Sequence, residues 1–176
     1  IASPDKDFQQ LLRPNLRLVR PDKKVPGQVV PYTVDDFAAD YEGAIEPSQF
    51  IDILALAGDA SDGVPGVRGI GQKIALQLIS EYGSVESVIE HASEVKRKNV
   101  REGLSSVEGI ATAGLSKELV TIRTDLSLPG LEVSMAELEL PDPSRLVRGA
   151  AGPFAELEFK SLMARLEATA ASLSPS

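Results

Sequence analysis

Apolar residues recur at helical spacing in several stretches of this chain and alternate in one. Phe50, Ile51, Ile53, Leu54 and Leu56 are too closely set for a single face, so they predict a buried helix, opened by Glu46-Pro47 with proline at its first position. Ile74, Ala75, Leu78, Ile79 and Tyr82 predict an amphipathic helix stopped at Gly83. Ser84 caps the next helix, which carries Val85, Val88 and Ile89. Thr33 and Asp36 form an approximate capping box for a short helix through Tyr41. Residues 15–19 alternate weakly and predict a strand, returned by residues 28–31 across the polar turn 21–27. Further on, a helix is expected over 115–122. Pro129, Pro141 and Pro143 then break the chain into loop, with a short strand about 131–133, before a closing helix over 154–166 and a flexible tail at 167–176.

The stretch that organises the rest is residues 58–75, G-D-A-S-D-G-V-P-G-V-R-G-I-G-Q-K-I-A. Asp59 and Asp62 follow the apolar run three residues apart, so one further helical turn would send both carboxylates out on one side. Such a pair suits a hard divalent cation, which takes oxygen ligands. Gly66, Gly69 and Gly71 then permit positive φ and close backbone approach in a short turn. Its N–H groups, with Arg68 and Lys73 beside them, would face an anion at the start of the following helix.

Upstream, Asp5 and Asp7 read in two ways. Alternate residues of an extended segment point the same way, so the pair could share a metal; equally, either could cap a helix beginning near Phe8. Lys96, Arg97, Lys98 and Arg101 form either a solvated helix face or a phosphate contact, and His91 carries no assigned role.

Composition narrows the chemistry. With no cysteine and one histidine in 176 residues, disulfides, thiolate sites and histidine-rich zinc clusters are excluded, so any metal must be held by oxygen. A hydrophobic content of 43% is ample for a core, and no apolar run approaches the roughly 18 residues of a membrane span, so no membrane partner is expected. The net charge of −8 argues against a general nucleic-acid coat protein but leaves room for local phosphate contacts.

Four landmarks together resemble the flap-endonuclease-like 5′-3′ exonucleases, the family that includes the N-terminal domain of bacterial DNA polymerase I: D-K-D-x-x-Q-L-L at residues 5–12, the 58–75 stretch, T-I-R-T-D at 121–125, and L-E-F-K-S-L at 157–162. The resemblance implies an α/β, mostly helical fold, the C-terminal half of a PIN-like (resolvase-like) nuclease domain over residues 1–166, with a helix-hairpin-helix at about 58–83. It implies metal binding, and catalysis through the metal, by Asp5, Asp7, Asp59 and Asp62, using Mg²⁺ or Mn²⁺. It implies DNA contacts by Gly66, Arg68, Gly69, Gly71 and Lys73, and a monovalent cation such as K⁺ on the carbonyls of Val64, Val67 and Ile70.

Pro4, Gly63 and Ile74 depart from the family pattern, which has a small or polar residue, Asn and Thr at those places. The expected function is 5′-3′ exonuclease and 5′-flap endonuclease action on DNA without sequence preference. The expected partners beyond DNA are an N-terminal half of the nuclease domain, preceding residue 1, and a fused polymerase. The alternative is a DNA-binding helix-hairpin-helix module with no catalysis of its own.

Overall fold

The computed structural model describes residues 1–22, 24–127, 130, 134–139 and 141–173, and it forms two compact units, Ile1–Thr124 and Asp125–Ser176. The division falls inside the span 1–166 that the sequence suggests as one domain. The strand expected about 131–133 lies outside the described residues.

In the first unit everything is arranged about α2 (Phe50–Ala57), entered through a 3-10 turn over Pro47–Gln49. Six of its eight residues are buried, so it has no solvent face to speak of, as its apolar breadth predicts. It packs against α3 (Gln72–Tyr82) and α6 (Val107–Val120), with α4 (Val85–Glu90) and α5 (Lys98–Ser105) closing the bundle. Buried Leu78, Ile79, Val88, Val100, Leu104 and Ala113 complete the core around it.

On the other side, β1 (Leu18–Pro21) and β2 (Val29–Tyr32) pair antiparallel, Leu18 opposite Tyr32, and α1 (Val34–Asp40) follows. Residues 1–3 lie parallel to β1, with Val19 N–H donating to Ile1 O at 2.8 Å and Ser3 N–H to Val19 O at 3.0 Å. The guanidinium of Arg20 stacks over the Tyr32 ring at 3.8 Å.

Several signals read from sequence are realised atom by atom. Thr33 Oγ1 accepts from Asp36 N–H at 3.3 Å while Asp36 Oδ2 accepts from Thr33 N–H at 2.8 Å, the reciprocal box that starts α1. Gly83 takes φ +87° and its N–H reaches Ile79 O at 2.8 Å, ending α3, and Ser84 Oγ caps α4.

Others need correction. Helix α6 begins at Val107 rather than at 115, because Gly109, a weak helix former, is required by packing: a Cβ there would sit 1.9 Å from Gly103 O. In the second unit Pro143 opens a helix instead of breaking one. Asp142 caps α7 (Pro143–Glu156) by accepting from Ser144 N–H at 2.8 Å, and proline at the first position costs no hydrogen bond. The single closing helix expected over 154–166 is two, α7 and α8 (Lys160–Leu173), jointed at Glu158, which takes φ +54°. The Phe154 and Phe159 rings meet edge-on across the joint at 6.0 Å. Helix α8 also runs on through Leu173, into the stretch expected to be a flexible tail.

Asp52 is one of the buried polar residues among those described. Asp52, 5% exposed on α2, accepts from Val85 N–H at 3.2 Å and pairs with Lys117 Nζ of α6 at 2.8 Å, and the same ammonium reaches Glu86 of α4 at 2.8 Å. Three helices are thus fixed on one lysine. Burial works against the Lys117 charge, but Asp52 and Glu86 outweigh it and raise its pKa.

The two acids differ in burial, 7% against 62% side-chain exposure. Asp52→Ala leaves the buried Val85 N–H unpaired and Lys117 with the exposed Glu86 alone, and is expected to cost about 2 kcal/mol; Glu86→Ala removes a screened pair and should cost below about 1 kcal/mol. Urea unfolding of both variants checks the ratio, and equal losses would deny Asp52 this role.

Candidate metal centre and phosphate-facing hairpin

Helix α2 stops at Ala57 because Gly58 adopts φ +74°, so the extra helical turn expected to carry Asp59 and Asp62 does not form. The two acids are instead held by a tight turn: Asp59 N–H donates to Val64 O and Val64 N–H to Asp59 O, both at 2.9 Å, with Asp62 N–H on Asp59 O at 3.3 Å. At Gly63 the turn takes φ +69° with open space beyond the missing Cβ. Asn and Gly are the residues that tolerate this region best, so glycine in place of the resembled family's asparagine keeps the turn geometry.

From the other direction, Asp5 caps a 3-10 turn over Lys6–Leu11 by accepting from Asp7 N–H at 3.0 Å. The segment is therefore not extended at Asp7. The cap brings the Asp7 carboxylate to the turn at 59–64: one oxygen each from Asp7, Asp59 and Asp62 lies within 4.8 Å of the others. Of the four predicted metal-site residues, these three converge and Asp5 is not in the set. Asp5 is exposed and bears on the group through its cap and its charge.

The environments of the two innermost carboxylates differ. Burial raises the Asp7 pKa, and the negative charges of Asp5, Asp59 and Asp62 raise it further; its Oδ1 is buried without a hydrogen-bond partner. Burial also pushes Asp59 upward, but Lys6 and Ser61 outweigh it and hold the carboxylate below its ordinary value. Lys6 Nζ ion-pairs with Asp59 Oδ2, and Asp59 Oδ1 accepts from Ser61 N–H at 3.1 Å and Ser61 Oγ at 2.5 Å. An all-oxygen set of three convergent carboxylates, one with an orphaned buried oxygen, fits a hard divalent cation.

Past Val64 the chain folds back on the end of α2. A Cβ on Gly66 would meet the Ala57 carbonyl at 2.4 Å and one on Gly58 would meet Gly66 N at 2.6 Å, so both positions need glycine. Val67 N–H donates to Leu56 O at 2.8 Å, and Ser116 Oγ of α6, fully buried, donates to Pro65 O. Gly69 takes φ +85°, whereas Gly71 has φ −100° and open space, so close approach and positive φ are needed at Gly66 and Gly69 but not at Gly71.

Gly71 is the N-cap of α3 and offers no side-chain acceptor, which leaves the first N–H groups of α3 open to a ligand, with exposed Lys73 on its first turn and exposed Arg68 on the approach. Of the three candidate carbonyls, those of Val64 and Val67 each accept one backbone N–H, at 2.9 and 3.0 Å, which leaves each a lone pair for a cation.

Two residues that sequence reasoning passed over hold this arrangement. Gln10 Nε2 donates to Asp7 O and to Val120 O, both at 2.9 Å, and its Oε1 accepts from Ile122 N–H at 3.0 Å, so it ties the 5–12 landmark to the 121–125 landmark. The signal was the glutamine inside D-K-D-x-x-Q, too common a residue to read alone. Lys6 stood in plain view between two aspartates.

Because the Asp7 pKa is raised in the fold, its proton contributes stability that is fully present below the unfolded value near 3.8 and is lost as pH rises through the folded value. Asp7→Asn is therefore expected to raise the thermal midpoint at neutral pH in chelator, with the gain vanishing toward pH ~3, while weakening Mn²⁺ binding. Midpoints measured from pH 3 to 8 check the sign; a loss at neutral pH would contradict it.

Comparison with known proteins identifies the family. The family model described as 5′-3′ exonuclease, C-terminal SAM fold, matches residues 45–145. A 5′-3′ exonuclease of Halalkalibacterium halodurans is 36% identical over 84% of this chain and 46% of its own length. A thermostable DNA polymerase I of Thermus filiformis is 37% identical over 93% of this chain and 18% of its own length. The chain thus spans less than half the length of these curated relatives.

Among solved structures, a bacteriophage T5 5′-exonuclease with bound zinc superposes with a TM-score of 0.53 at 26% identity, over 68% of this chain and 41% of that one. The bacteriophage T5 flap endonuclease in a pseudo-enzyme-product complex with DNA and metal ions shares the fold, with a TM-score of 0.54 at 23% identity and the same coverage. With the carboxylate turn, the glycine-clasped hairpin and a family model matched over more than half its residues, this chain belongs to the 5′-3′ exonuclease family and carries that family's C-terminal SAM fold.

Proposed function

We propose that this chain supplies the carboxylate turn and the duplex-gripping hairpin of a nuclease that hydrolyses DNA phosphodiesters from 5′ ends and at 5′ flaps. The observation that carries the reading is the convergence of Asp7, Asp59 and Asp62 within 4.8 Å on the turn that leads directly into the hairpin at 66–71. Asp7, Asp59 and Asp62 would hold a divalent cation, Mg²⁺ or Mn²⁺, with Asp5 orienting Asp7 through its cap. Such an ion supplies charge stabilisation at a phosphoryl oxygen and a water of lowered pKa.

The hairpin's part is positional. Open N–H groups at the start of α3, with Lys73 and Arg68, meet a phosphate of one strand without touching base edges, so they fix the duplex without reading sequence. The carbonyls of Val64, Val67 and Ile70 are the candidate seat for a monovalent cation such as K⁺ between hairpin and phosphate. The T5 structures, one with bound zinc and another with DNA and metal ions, support both halves of the reading by likeness.

Three carboxylates are enough for one divalent ion, whereas in-line displacement between two ions about 4 Å apart needs more. The remaining ligands belong to the further polypeptide of the relatives, of which this chain matches 18% to 46%; a preceding nuclease half and a fused polymerase are the proposed partners. The same shortage supports a second reading, in which the 176 residues bind flapped DNA without cleaving it.

Two measurements separate these. Fluorescence anisotropy should show binding to flapped duplex without sequence preference, falling steeply with salt, and Lys73→Ala should weaken all sequences alike and reduce the salt slope by about 1. Incubation of a 5′-flap substrate with Mn²⁺ should give at most weak cleavage by these residues alone, and Asp62→Asn should abolish any cleavage while binding persists. Binding with no metal-dependent cleavage would favour the non-catalytic reading, and no binding at low salt would remove both.

A further inference from the structure

Lys6 sits between Asp5 and Asp7 in sequence, yet its contacts are with the turn opposite. Its Nζ ion-pairs with Asp59 Oδ2 and donates to Ser61 Oγ at 3.2 Å. Both oxygens of Asp59 are thereby engaged, Oδ1 by Ser61 and Oδ2 by a cation. The Lys6 side chain is 38% exposed against 4% for Asp59, so the ammonium reaches inward from solvent to a fixed carboxylate. Asp7 and Asp62 add their attraction to that of Asp59.

We propose that Lys6 is an intramolecular competitor for the cation position on Asp59 and so sets the divalent affinity of the site. The inference rests on the metal reading of Asp7, Asp59 and Asp62. An ammonium and a divalent ion cannot share Oδ2 without like charges in near contact, where the repulsion is largest. The four-carbon stem and its exposure give Lys6 a path back to water. Asp59 stays in place throughout, because the Ser61 N–H and the paired backbone of 59 and 64 hold it without Lys6. Lys6 thus offsets the mutual repulsion of three carboxylates and, by the same contact, opposes the ion they would bind.

The test is Mn²⁺ titration calorimetry on the full chain at low salt, with circular dichroism to confirm folding. Lys6→Gln and Lys6→Met are expected to bind Mn²⁺ about tenfold more tightly than the parent, with the gap closing as salt rises. Lys6→Arg, which keeps the charge, should stay within about threefold of it. Without metal, both neutral variants should melt lower and gain more from added Mn²⁺. Should Lys6→Met not fold, Lys6→Gln, which keeps a donor for Ser61, carries the comparison.

A folded Lys6→Gln that binds Mn²⁺ no more tightly than the parent, in a protein whose binding Asp62→Asn does weaken, overturns this inference and leaves the metal reading standing. Parent binding that is absent, or indifferent to Asp62→Asn, overturns both.

Discussion

The contact between the backbone of Gly66 and the last carbonyl of α2 governs the geometry of the site. At a separation that admits no Cβ, residues 58–66 must leave α2, turn and return over its end, and the placement of Asp59, Asp62 and the hairpin follows from that return. The outward limb carries Asp59, the turn carries Asp62, and the returning limb delivers Val67 and Ile70 into the core and starts α3 with its N–H groups facing out. Ser116 and Gly103 complete the clasp from α6 and α5, one by donating to Pro65 O and the other by letting Arg68 O approach. A side chain at Gly58 or Gly66 would therefore displace the metal turn and the hairpin together.

Placing three carboxylates within 4.8 Å is unfavourable for the fold, and the structure distributes that cost unevenly. Asp59 is compensated by Lys6 and two Ser61 donors and remains ionised to low pH. Asp7 has no such support at Oδ1 and meets only like charge from its acidic neighbours, so its pKa rises. Asp59 Oδ2 lacks a hydrogen bond but has an ion pair, whereas Asp7 Oδ1 has neither. A site that must receive a cation gains from this: the unsatisfied oxygen has more to gain from a metal than a fully hydrogen-bonded one, since a buried acceptor left unpaired costs about 1–3 kcal/mol.

Much of this was legible in the sequence because the local signals and the tertiary structure agree. The breadth of apolar residues over 50–56, the Thr33–Asp36 box and the glycine stop at Gly83 each act within a few residues, and each appears as read. The misreadings have two causes, local backbone geometry at Gly58, Pro143 and Glu158 and tertiary contact elsewhere. Gly109 in α6 looks like a helix breaker until Gly103 is known to press on it, and Asp52 looks like an intruder in an apolar run until Lys117 is found 65 positions away. Asp59 and Asp62 were placed in the right pair for the wrong reason, through a helical turn that Gly58 forbids. The spacing of carboxylates along the chain gave their company, but only the backbone gave their direction.

Two lysines of the first unit, Lys117 and Lys6, show how burial sorts similar ion pairs into different work. Lys117 is 26% exposed and is shared between Asp52 and Glu86, so no alternative partner in solvent competes with the contacts that fix α2, α4 and α6. Lys6 is 38% exposed at the edge of a carboxylate group, and its partner, though buried, is held by Ser61 as well. Losing the Asp52 contact leaves the buried Val85 N–H unpaired and Lys117 tied only to the exposed Glu86. Losing the Lys6 contact leaves a carboxylate still hydrogen-bonded and newly available to an ion. Placing the dispensable pair at the metal turn lets the charge there change partners, while the helices that carry the turn keep theirs.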